Sequence, residues 1–477
     1  MARFVGRHTE LALLRTELEQ VSSSPDDDRP GRCLLIRGRR RVGKSRLIET
    51  FVDRAEVPSL FFTASGASQQ VELSQFRQDA AESNLPSRDV LAAGRPTGWA
   101  EAFRLLAAAL PDESPSVVII DELPYLMDRE HEFEGILQRV WDRYLARKPL
   151  LLILVGSDLS MMEALNDYQR PFHQRGREMV VGPLNARDLQ DMLGLSAAEA
   201  FDARLVTGGL PLICIDWRPG QGLWTFLEQS LNNPTSPLLV SAERSLAAEF
   251  PEHAQPRDVL SAIGAGERTF TNIGKAAGGL AATSLQRSLT TLTEKRIVAS
   301  ELPLSTRASK ERRYRITDPY LRFWLRYLAP SMSEIERGRA DLTMARIRRD
   351  WVSWRGRAIE PLLREALART LPDSALPAPA VIGSYWTRTN DVEIDIVGAD
   401  RAPIAATLLF VGSIKWLERT PFDKHDLAEL HRHRAALTDA PTDTVAVSRS
   451  GVSCQGVTAA YGPEDLIGSW SHPETVY

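Results

Sequence analysis

The chain has 477 residues, a formal net charge of −4 and a hydrophobic fraction of 43%. These values are ordinary for a globular protein of two to four domains, and we expect neither a membrane-spanning helix nor a disulfide framework. Cys33, Cys214 and Cys454 are far apart and lack metal-type spacing, as is typical of a reducing compartment. The segment Met1–Arg7 lacks the apolar core of a signal peptide, so we expect a cytoplasmic protein with no membrane partner.

The most informative motif follows the short apolar run 33–36, which predicts a buried strand. The motif is Gly38-Arg39-Arg40-Arg41-Val42-Gly43-Lys44-Ser45, and it fits the phosphate-binding pattern G-x-x-x-x-G-K-[ST] at every fixed position. The residues from Arg46 to Val52 predict a helix. A strand, a glycine loop and a helix in this order direct several backbone N–H groups to one point at the positive end of a helix dipole.

This arrangement predicts an ATP site formed by the loop and by Arg46. We expect Lys44 to reach the β- and γ-phosphates and Ser45 to hold Mg²⁺. The alternative is a chance match to the pattern in a turn that precedes a helix.

A second motif, residues 116–122, has four apolar residues that end in Asp121 and Glu122. This pattern predicts a buried parallel strand with its acids at the carboxyl edge, where ligands of open α/β sheets bind. We expect Asp121 to organise Mg²⁺ through its water shell and Glu122 to orient or deprotonate the attacking water. The alternative for this pair is a solvated strand end that begins a turn.

The rest of the first part alternates strand-like and helix-like segments, which predicts a parallel sheet covered on both faces. Further strands are predicted at 59–63, 149–156 and 178–181, and helices at 99–110 and 133–147, with a loop over 22–31. Ser157 follows one of these strands. It is interpreted equally well as a sensor of the γ-phosphate and as a cap of a helix over 158–165.

The middle of the chain is helical from about 185 to 249 and then predicts three helices and two strands within 251–330. Three helices followed by a hairpin are typical of a winged helix. This segment has 13 Lys and Arg residues against 7 Asp and Glu residues, although the whole chain is acidic. A basic wing predicts phosphate contacts with duplex DNA, and the candidates are Arg307, Lys310, Arg312 and Arg313. The alternative is a solvated wing used only for packing.

The last part of the chain predicts a small α/β unit. It has an amphipathic helix over 354–371 and strands at 392–397, 404–411 and 444–447.

Several segments resemble prokaryotic P-loop ATPases of the STAND and AAA-like types, and in particular the archaeal-type ATPase family. Residues 4–11 look like the F-x-G-R-x-x-E-L opening of these proteins, and 38–45 is very close to the family's G-R-R-R-V-G-K-T loop. Pro171 and Arg175 resemble the P-L-Y-G-R segment, although His-Gln replaces its Tyr-Gly.

Residues 209–211 are similar to the G-x-P lid motif, and 314–324 resemble the segment after the family's winged helix. The resemblance implies that the opening segment lies against the adenine through Val5, Gly6 and Arg7. It also implies that Pro211 closes a lid over the base. Arg175 would contact the γ-phosphate, in the same chain or from a neighbouring subunit.

The C-terminal unit of these ATPases is similar to the restriction-endonuclease fold, whose metal site uses a helix Glu, a strand Asp and an (E/D)-x-K. Here Glu360, Asp395 and Lys415 match in type and order. Ser413 stands where the second carboxylate is expected, and a hydroxyl is a poor Mg²⁺ ligand beside a carboxylate. The resemblance therefore implies a restriction-endonuclease-like domain that is inactive as a nuclease.

Together these observations predict an α/β protein with a P-loop NTPase parallel sheet and helical lid, followed by a winged helix and a small α/β restriction-endonuclease-like domain. The predicted boundaries are 1–184 for the ATPase core, 185–250 for the lid, 251–330 for the winged helix, 331–355 for a helical linker and 356–477 for the last domain. We expect a slow or activator-dependent ATPase that uses Mg²⁺ and acts as a switch, coupling nucleotide state to DNA binding in regulation or defence. The alternatives are an ATP-gated platform for a partner protein or self-association, and an ATP-dependent nuclease.

Overall fold

The structure is a computed structural model that describes residues 4–22, 29–130, 132–157, 159–251 and 254–470. The predicted loop over 22–31 and the predicted helix start at Asp158 lie largely outside these ranges. The chain divides into two units, Met1–Pro183 and Leu184–Tyr477. Within the described ranges, no helix has the length and apolar character needed to cross a membrane.

The first unit is built on a five-stranded sheet in which every strand pairing is parallel, and the predicted P-loop sheet is thereby confirmed. Its strands are β1 Arg32–Arg37, β2 Ser59–Thr63, β3 Ser116–Asp121, β4 Leu150–Gly156 and β5 Arg177–Val180. The strand order is β2-β3-β4-β1-β5. Strands β3 and β4 are buried along their whole length, because helices on both faces of a parallel sheet require continuous apolar runs.

Eight helices pack around this sheet in the described part of the first unit. They are α1 His8–Ser22, α2 Lys44–Ala55, α3 Gln69–Glu82, α4 Arg88–Ala93, α5 Trp99–Ala109, α6 Leu123–Arg129, α7 Phe133–Arg143 and α8 Leu159–Ala164. A 3₁₀ turn, Leu145–Arg147, follows α7, so the predicted helix over 133–147 is shorter than expected. Aromatic rings from β2, α3, α5 and α7 pack edge to face in the core, among them Phe62, Phe76, Trp99 and Phe133.

The second unit begins with helices and a two-stranded sheet. They are α9 Ala186–Leu193, α10 Ala197–Thr207, α11 Pro211–Cys214, α12 Leu223–Leu231, α13 Pro237–Glu249, α14 Gln255–Ala265, α15 Phe270–Ala276, α16 Ala282–Glu294, β6 Val298–Glu301 and β7 Arg313–Ile316. Helices α9 and α10 each begin with a capping box, Asn185 with Asp188 and Ser196 with Glu199. Strands β6 and β7 pair antiparallel.

The chain then forms a short helix, a π-helical turn and a long helix. These are α17 Pro319–Phe323, the π turn Trp324–Leu328, a 3₁₀ turn Ala329–Ser331, α18 Met332–Glu336 and α19 Ala340–Thr370. One hydrophobic core joins the helices from 184 to 351, including the predicted lid and the predicted linker. The boundary predicted at 355/356 falls inside the 31 residues of α19, so one continuous helix spans the end of the predicted helical linker and the start of the predicted last domain.

The last part is a second five-stranded sheet, this one mixed, with the order β12-β11-β10-β9-β8. Its elements are β8 Val381–Trp386, β9 Glu393–Ala399, β10 Leu408–Lys415, α20 Lys424–Leu437, β11 Asp443–Ser448, β12 Ala459–Tyr461 and α21 Pro463–Gly468. Strand β10 begins later than the predicted 404, because the Asp400 side chain accepts hydrogen bonds from the N–H groups of Ala406 and Thr407 and holds them in a loop. The predicted small α/β unit is present.

Candidate nucleotide site

The P-loop connects the end of β1 to the start of α2, and two glycines permit its path. Gly43, directly before α2, has φ 91°, a left-handed conformation that favours glycine. A Cβ atom on Gly38 would lie 2.3 Å from the carbonyl oxygen of Val181, which follows β5. The loop therefore depends on both glycines of the motif, and α2 directs its amino end to the carboxyl edge of the sheet.

Lys44 is buried, and its ammonium group is held by the loop itself. Its Nζ donates hydrogen bonds to the carbonyl oxygens of Gly38 at 2.7 Å and Arg39 at 3.2 Å. Burial lowers the pKa of Lys44, and the nearby carboxylates of Glu122 and Asp121 act in the opposite direction. The side chain is thus a cation with few solvent contacts at the point where phosphates are expected.

Ser45 and Asp121 come together although 76 positions separate them in the sequence. The Ser45 hydroxyl donates to Oδ2 of Asp121 at 2.7 Å, and the N–H of Glu122 donates to Oδ1 at 2.9 Å. Burial raises the pKa of Asp121, and these two hydrogen bonds act against that rise. A hydroxyl and a carboxylate are oxygen ligands that suit Mg²⁺. Since the described residues contain no cluster of three or more metal-binding side chains, the other ligands would be phosphate and water.

Glu122 is held by Ser157, a pairing that the sequence analysis did not predict. Ser157 follows β4, which lies between β3 and β1 in the sheet, and its hydroxyl donates to Oε2 of Glu122 at 2.9 Å. Glu122 has φ 54°, an uncommon conformation for a residue other than glycine. Both carboxylates, Ser157 and the P-loop therefore lie at the same edge of one sheet.

Arg7 connects the opening segment to the P-loop. Its guanidinium donates to the carbonyl oxygens of Val42 at 2.7 Å and Gly182 at 2.6 Å, and to Glu10 at 2.8 Å. The Arg7 side chain is buried, and its hydrogen bonds connect the P-loop, through Val42, to Gly182 after β5. The contact of Val5, Gly6 and Arg7 with adenine stays a prediction.

The other arginines of the loop have different surroundings. Arg40 is exposed and donates to the Tyr125 hydroxyl at 2.8 Å, and Arg46 is exposed and pairs with Glu49 at 3.1 Å. Arg39 and Arg41 are half-buried, and Arg41 has φ 68°. Their roles in nucleotide binding stay predictions, as does the role of Pro211, which is the first residue of α11 in the second unit.

Arg175 lies far from the P-loop of its own chain. It precedes β5, whose first residue Arg177 pairs with Leu34 near the start of β1, so it lies at the amino edge of the sheet. Its guanidinium makes two hydrogen bonds of 2.9 Å to the carboxylate of Asp142. A strand of six residues spans about 20 Å. The prediction that Arg175 contacts the γ-phosphate in the same chain is therefore wrong, and a contact from a neighbouring subunit stays a prediction.

The residues predicted for a nuclease site are only partly brought together. Glu360 and Asp395 line one pocket, and burial together with Asp395 raises the pKa of Glu360 to about 7. Oδ2 of Asp395 accepts hydrogen bonds from the Ser413 hydroxyl at 3.0 Å and from the N–H of Ile414 at 2.9 Å.

Lys415 is held elsewhere, because its Nζ pairs with Asp426 of α20 at 2.7 Å. Arg364 donates to the main-chain oxygen of Asp395 at 2.7 Å and lies 3.5 Å from Glu360. Arg364 thus brings a guanidinium close to Glu360 and to the main chain of Asp395, and the absence of nuclease activity stays a prediction.

The segment between β6 and β7 packs on the C-terminal sheet. The N–H of Leu304 donates to the carbonyl of Ser384, and the Trp386 indole donates to the carbonyl of Glu311. Arg313 is buried, pairs with Glu393 and lies 4.4 Å from the centre of the Trp386 ring. The prediction that Arg313 contacts DNA is therefore wrong, since its charge is already paired inside the protein.

Arg307, Lys310 and Arg312 are exposed, so their DNA contacts stay predictions. Arg312 also donates to the Ser300 hydroxyl at 2.6 Å.

Comparison with known proteins gives two family matches. Residues 27–164 match the family described as AAA domain, and residues 324–427 match the family described as archaea bacterial proteins of unknown function. The first match includes the P-loop, Asp121 and Glu122. This part of the chain is therefore similar to AAA domains.

One curated relative and several solved structures are similar over most of the chain. An uncharacterized protein of Methanocaldococcus jannaschii is 26% identical over 418 residues, 87% of each chain. The Walker-type ATPase of Pyrococcus abyssi is 20% identical and covers 68% of this chain and 96% of its own, with a TM-score of 0.49. The ORC2 protein of Aeropyrum pernix is 15% identical and covers 71% and 95%, with a TM-score of 0.46. Function does not follow from likeness at this level.

Proposed function

We propose that this protein is a Mg²⁺-dependent ATPase whose nucleotide state acts as a switch. The observation that carries the proposal is the convergence of two pairs, Ser45 with Asp121 and Glu122 with Ser157, at the sheet edge that also holds the P-loop. One pair supplies oxygen ligands for a cation, and the other holds a carboxylate beside the position of the γ-phosphate. A P-loop that served only as a structural turn would not need either pair.

The residues divide the reaction between them. The N–H groups of the loop and Lys44 hold the β- and γ-phosphates and offset their negative charge. Ser45 and Asp121 would hold Mg²⁺, which would supply positive charge to the phosphate oxygens as negative charge develops on them. Glu122 accepts a proton from the attacking water while the water oxygen bonds to the γ-phosphorus. The bond between the γ-phosphorus and the leaving ADP oxygen then breaks. The Ser157 hydroxyl, bonded to Glu122, positions that carboxylate.

Replacing Lys44 with alanine tests the nucleotide site. We expect the Lys44→Ala protein to lose ATP binding by at least about tenfold, because a charge-assisted contact to phosphate is removed. Hydrolysis should fall with it. Binding is measured by titration calorimetry and turnover by phosphate release. The matched control is Lys275→Ala, since Lys275 is an exposed lysine of the second unit. Wild-type binding and turnover in Lys44→Ala would end the proposal.

Duplex DNA is a second proposed ligand, and the exposed face of α16 favours it. In a winged helix the helix before the hairpin is the one that reads DNA. Helix α16 holds this position, and its polar residues Thr283, Gln286, Arg287 and Thr290 are all exposed. Hydroxyl, amide and guanidinium groups are the donors that contact phosphates and base edges. The DNA contacts predicted from the sequence lie in the wing, and the face of α16 is not among them.

Charge reversal on α16 tests DNA binding. We expect Arg287→Glu to weaken binding of a 30-base-pair duplex by about tenfold or more and to make the slope of log K against log salt shallower by about one. Fluorescence anisotropy across a salt series, with and without ATP, measures both. Arg337→Glu, an exposed arginine on a different segment, is the control. Binding that does not change in Arg287→Glu would exclude this face. An absence of any DNA binding would favour a nucleotide-gated protein platform.

A further inference from the structure

The second unit contains a cavity of about 300 Å³ whose charged lining is strongly basic. Among the described residues, its charged side chains are five arginines and one aspartate, namely Arg268, Arg315, Arg322, Arg326, Arg357 and Asp350. They come from the loop before α15, from β7, from α17 and the π turn after it, and from α19. No site is predicted here from the sequence, because four separate segments supply the arginines.

Three of the five arginines lie within 4.0 Å of a carboxylate, and one of these carboxylates is shared with another arginine. Arg326 lies 3.6 Å from Asp350 and donates to the carbonyl of Ala265 at 2.8 Å. Arg315 pairs with Glu301. Arg268 lies 3.7 Å from Glu393, which is already held more closely by Arg313.

Arg322 and Arg357 are different, because neither has a carboxylate within 4.0 Å in the described part of the chain. Arg322 is half-buried and donates to the carbonyl oxygen of Arg357 at 3.3 Å. Arg357 is exposed, so the cavity is open to solvent on its side. Burial lowers the pKa of Arg322 to about 10. The Glu360 carboxylate acts in the opposite direction, the neighbouring arginines add to the lowering, and the group is still charged at neutral pH.

Cations held close together away from bulk water destabilise a protein unless an anion offsets them. Four of the five arginines are on a strand, on helices or on the π turn, and Arg268 is in the loop before α15. Arg322 belongs to α17, and Arg326 belongs to the π turn that follows it. A π-helical turn inside a helix is rare and occurs frequently at functional sites. The excess of unpaired positive charge on a fixed scaffold is what a site for a multiply charged anion requires.

The acidic groups nearby restrict where the anion can lie. A smaller adjoining pocket shares Arg268, Arg315, Arg322 and Arg357 but also contains Glu301, Glu360, Glu393 and Asp395. An anion at that end would face four carboxyl groups. At the end lined by Arg326, Arg357 and Trp354, the acidic residue among the described lining residues is Asp350. The whole cavity, at about 300 Å³, is at the lower limit of small-molecule pockets, and it admits a phosphate group with a small organic part.

We propose that this cavity binds the phosphate group of a small phosphorylated ligand, with Arg322 and Arg357 as its principal contacts. Guanidinium groups bind phosphate oxygens through paired hydrogen bonds, and several of them around one phosphate are typical of such sites. The site lies entirely within the second unit, whereas the P-loop belongs to the first unit. Inorganic phosphate and a nucleoside monophosphate share the recognised group, and Trp354 and Tyr314 in the lining would favour the nucleotide.

The test uses the full chain carrying Lys44→Ala, so that the P-loop does not contribute to phosphate binding. Inorganic phosphate and AMP are titrated separately by calorimetry. We expect saturable binding of both if the phosphate alone is recognised, and tighter binding of AMP if the aromatic lining contributes. Arg322→Gln and Arg357→Gln should each weaken binding by about 10- to 100-fold, since each removes a charge-assisted contact. Arg337→Gln, exposed and outside the cavity, should not change it.

Asp350→Asn is expected to change phosphate binding in the opposite direction, and a loss of folding could not produce that change. It removes a carboxylate from the lining, so phosphate binding should become tighter. Thermal unfolding of every variant shows whether it is folded, and exposed Arg357→Gln remains informative if Arg322→Gln is not. No phosphate or AMP binding to the Lys44→Ala chain, or binding that neither arginine variant weakens, would overturn the proposal. Neither result would affect the ATPase proposal, because the P-loop of the protein used in this test carries Lys44→Ala.

Discussion

Replacing Glu122 with glutamine is expected to lower ATP turnover by about 10²- to 10⁴-fold while ATP still binds. Glutamine keeps the shape of the side chain and can still meet the Ser157 hydroxyl, but it cannot accept a proton from water. Glu122 does not belong to the loop that cradles the phosphates, so the ground-state contacts stay. The change therefore separates the chemical step from binding, which Lys44→Ala cannot do.

Turnover is measured by phosphate release with saturating ATP and Mg²⁺, and binding by calorimetry on the same samples. Glu113→Gln is the matched control, because Glu113 is an exposed carboxylate that precedes β3 at the other edge of the sheet. A single-turnover experiment shows whether the chemical step itself has slowed. Wild-type turnover in Glu122→Gln would show that another group activates the water. Turnover lost together with ATP binding would mean that Glu122 is structural.

Replacing Asp202 with alanine is expected to destabilise the second unit by about 3–5 kcal/mol. Asp202 is a buried residue of α10, and its Oδ2 accepts hydrogen bonds from Arg355 at 3.1 Å and Arg449 at 2.7 Å. The Trp416 indole donates to its other oxygen at 3.4 Å. This one carboxylate thus links α10 to α19 and to the C-terminal sheet.

The reason for the large effect is the state of the arginines after the change. Arg355 is fully buried and also donates to the Trp416 carbonyl at 3.0 Å and to Glu418 at 2.6 Å. Without Asp202, Arg355 would keep the more exposed Glu418 as its acidic partner, and Arg449 would lose its carboxylate. Leaving buried charge without compensation costs more than the intact pairs contribute.

Urea denaturation followed by tryptophan fluorescence measures this prediction, since eight of the ten tryptophans lie in the second unit. Asp202→Asn keeps the side-chain size and removes the charge, so it should also be strongly destabilising. The control is Asp216→Ala, an exposed aspartate of the same unit. A free energy of unfolding for Asp202→Ala within about 0.5 kcal/mol of wild type, as for an ordinary surface substitution, would contradict the prediction.

The sequence was informative about the fold where the signal is local. Continuous apolar runs predicted β3 and β4, and the glycine motif predicted the loop between β1 and α2, because these patterns depend on neighbouring residues. Strand β8 was missed, since most of its residues are only half-buried and its sequence has no clear alternation. The helix predicted over 354–371 is the second half of α19, which already begins at Ala340, because nothing local in the sequence shows where so long a helix starts.

By itself, the sequence determined the nucleotide-binding motif, the two carboxylates after β3 and the basic character of 251–330, since each is a property of residue type and spacing along the chain. The tertiary structure alone decided which groups meet: Ser157 with Glu122, Arg175 with Asp142 away from the P-loop, Arg313 with Glu393 inside the protein, and five arginines around one cavity. These pairings join residues far apart in the chain, and their charges are balanced only in three dimensions. Whether the charge of a side chain is already balanced by an oppositely charged neighbour can be read only from the structure.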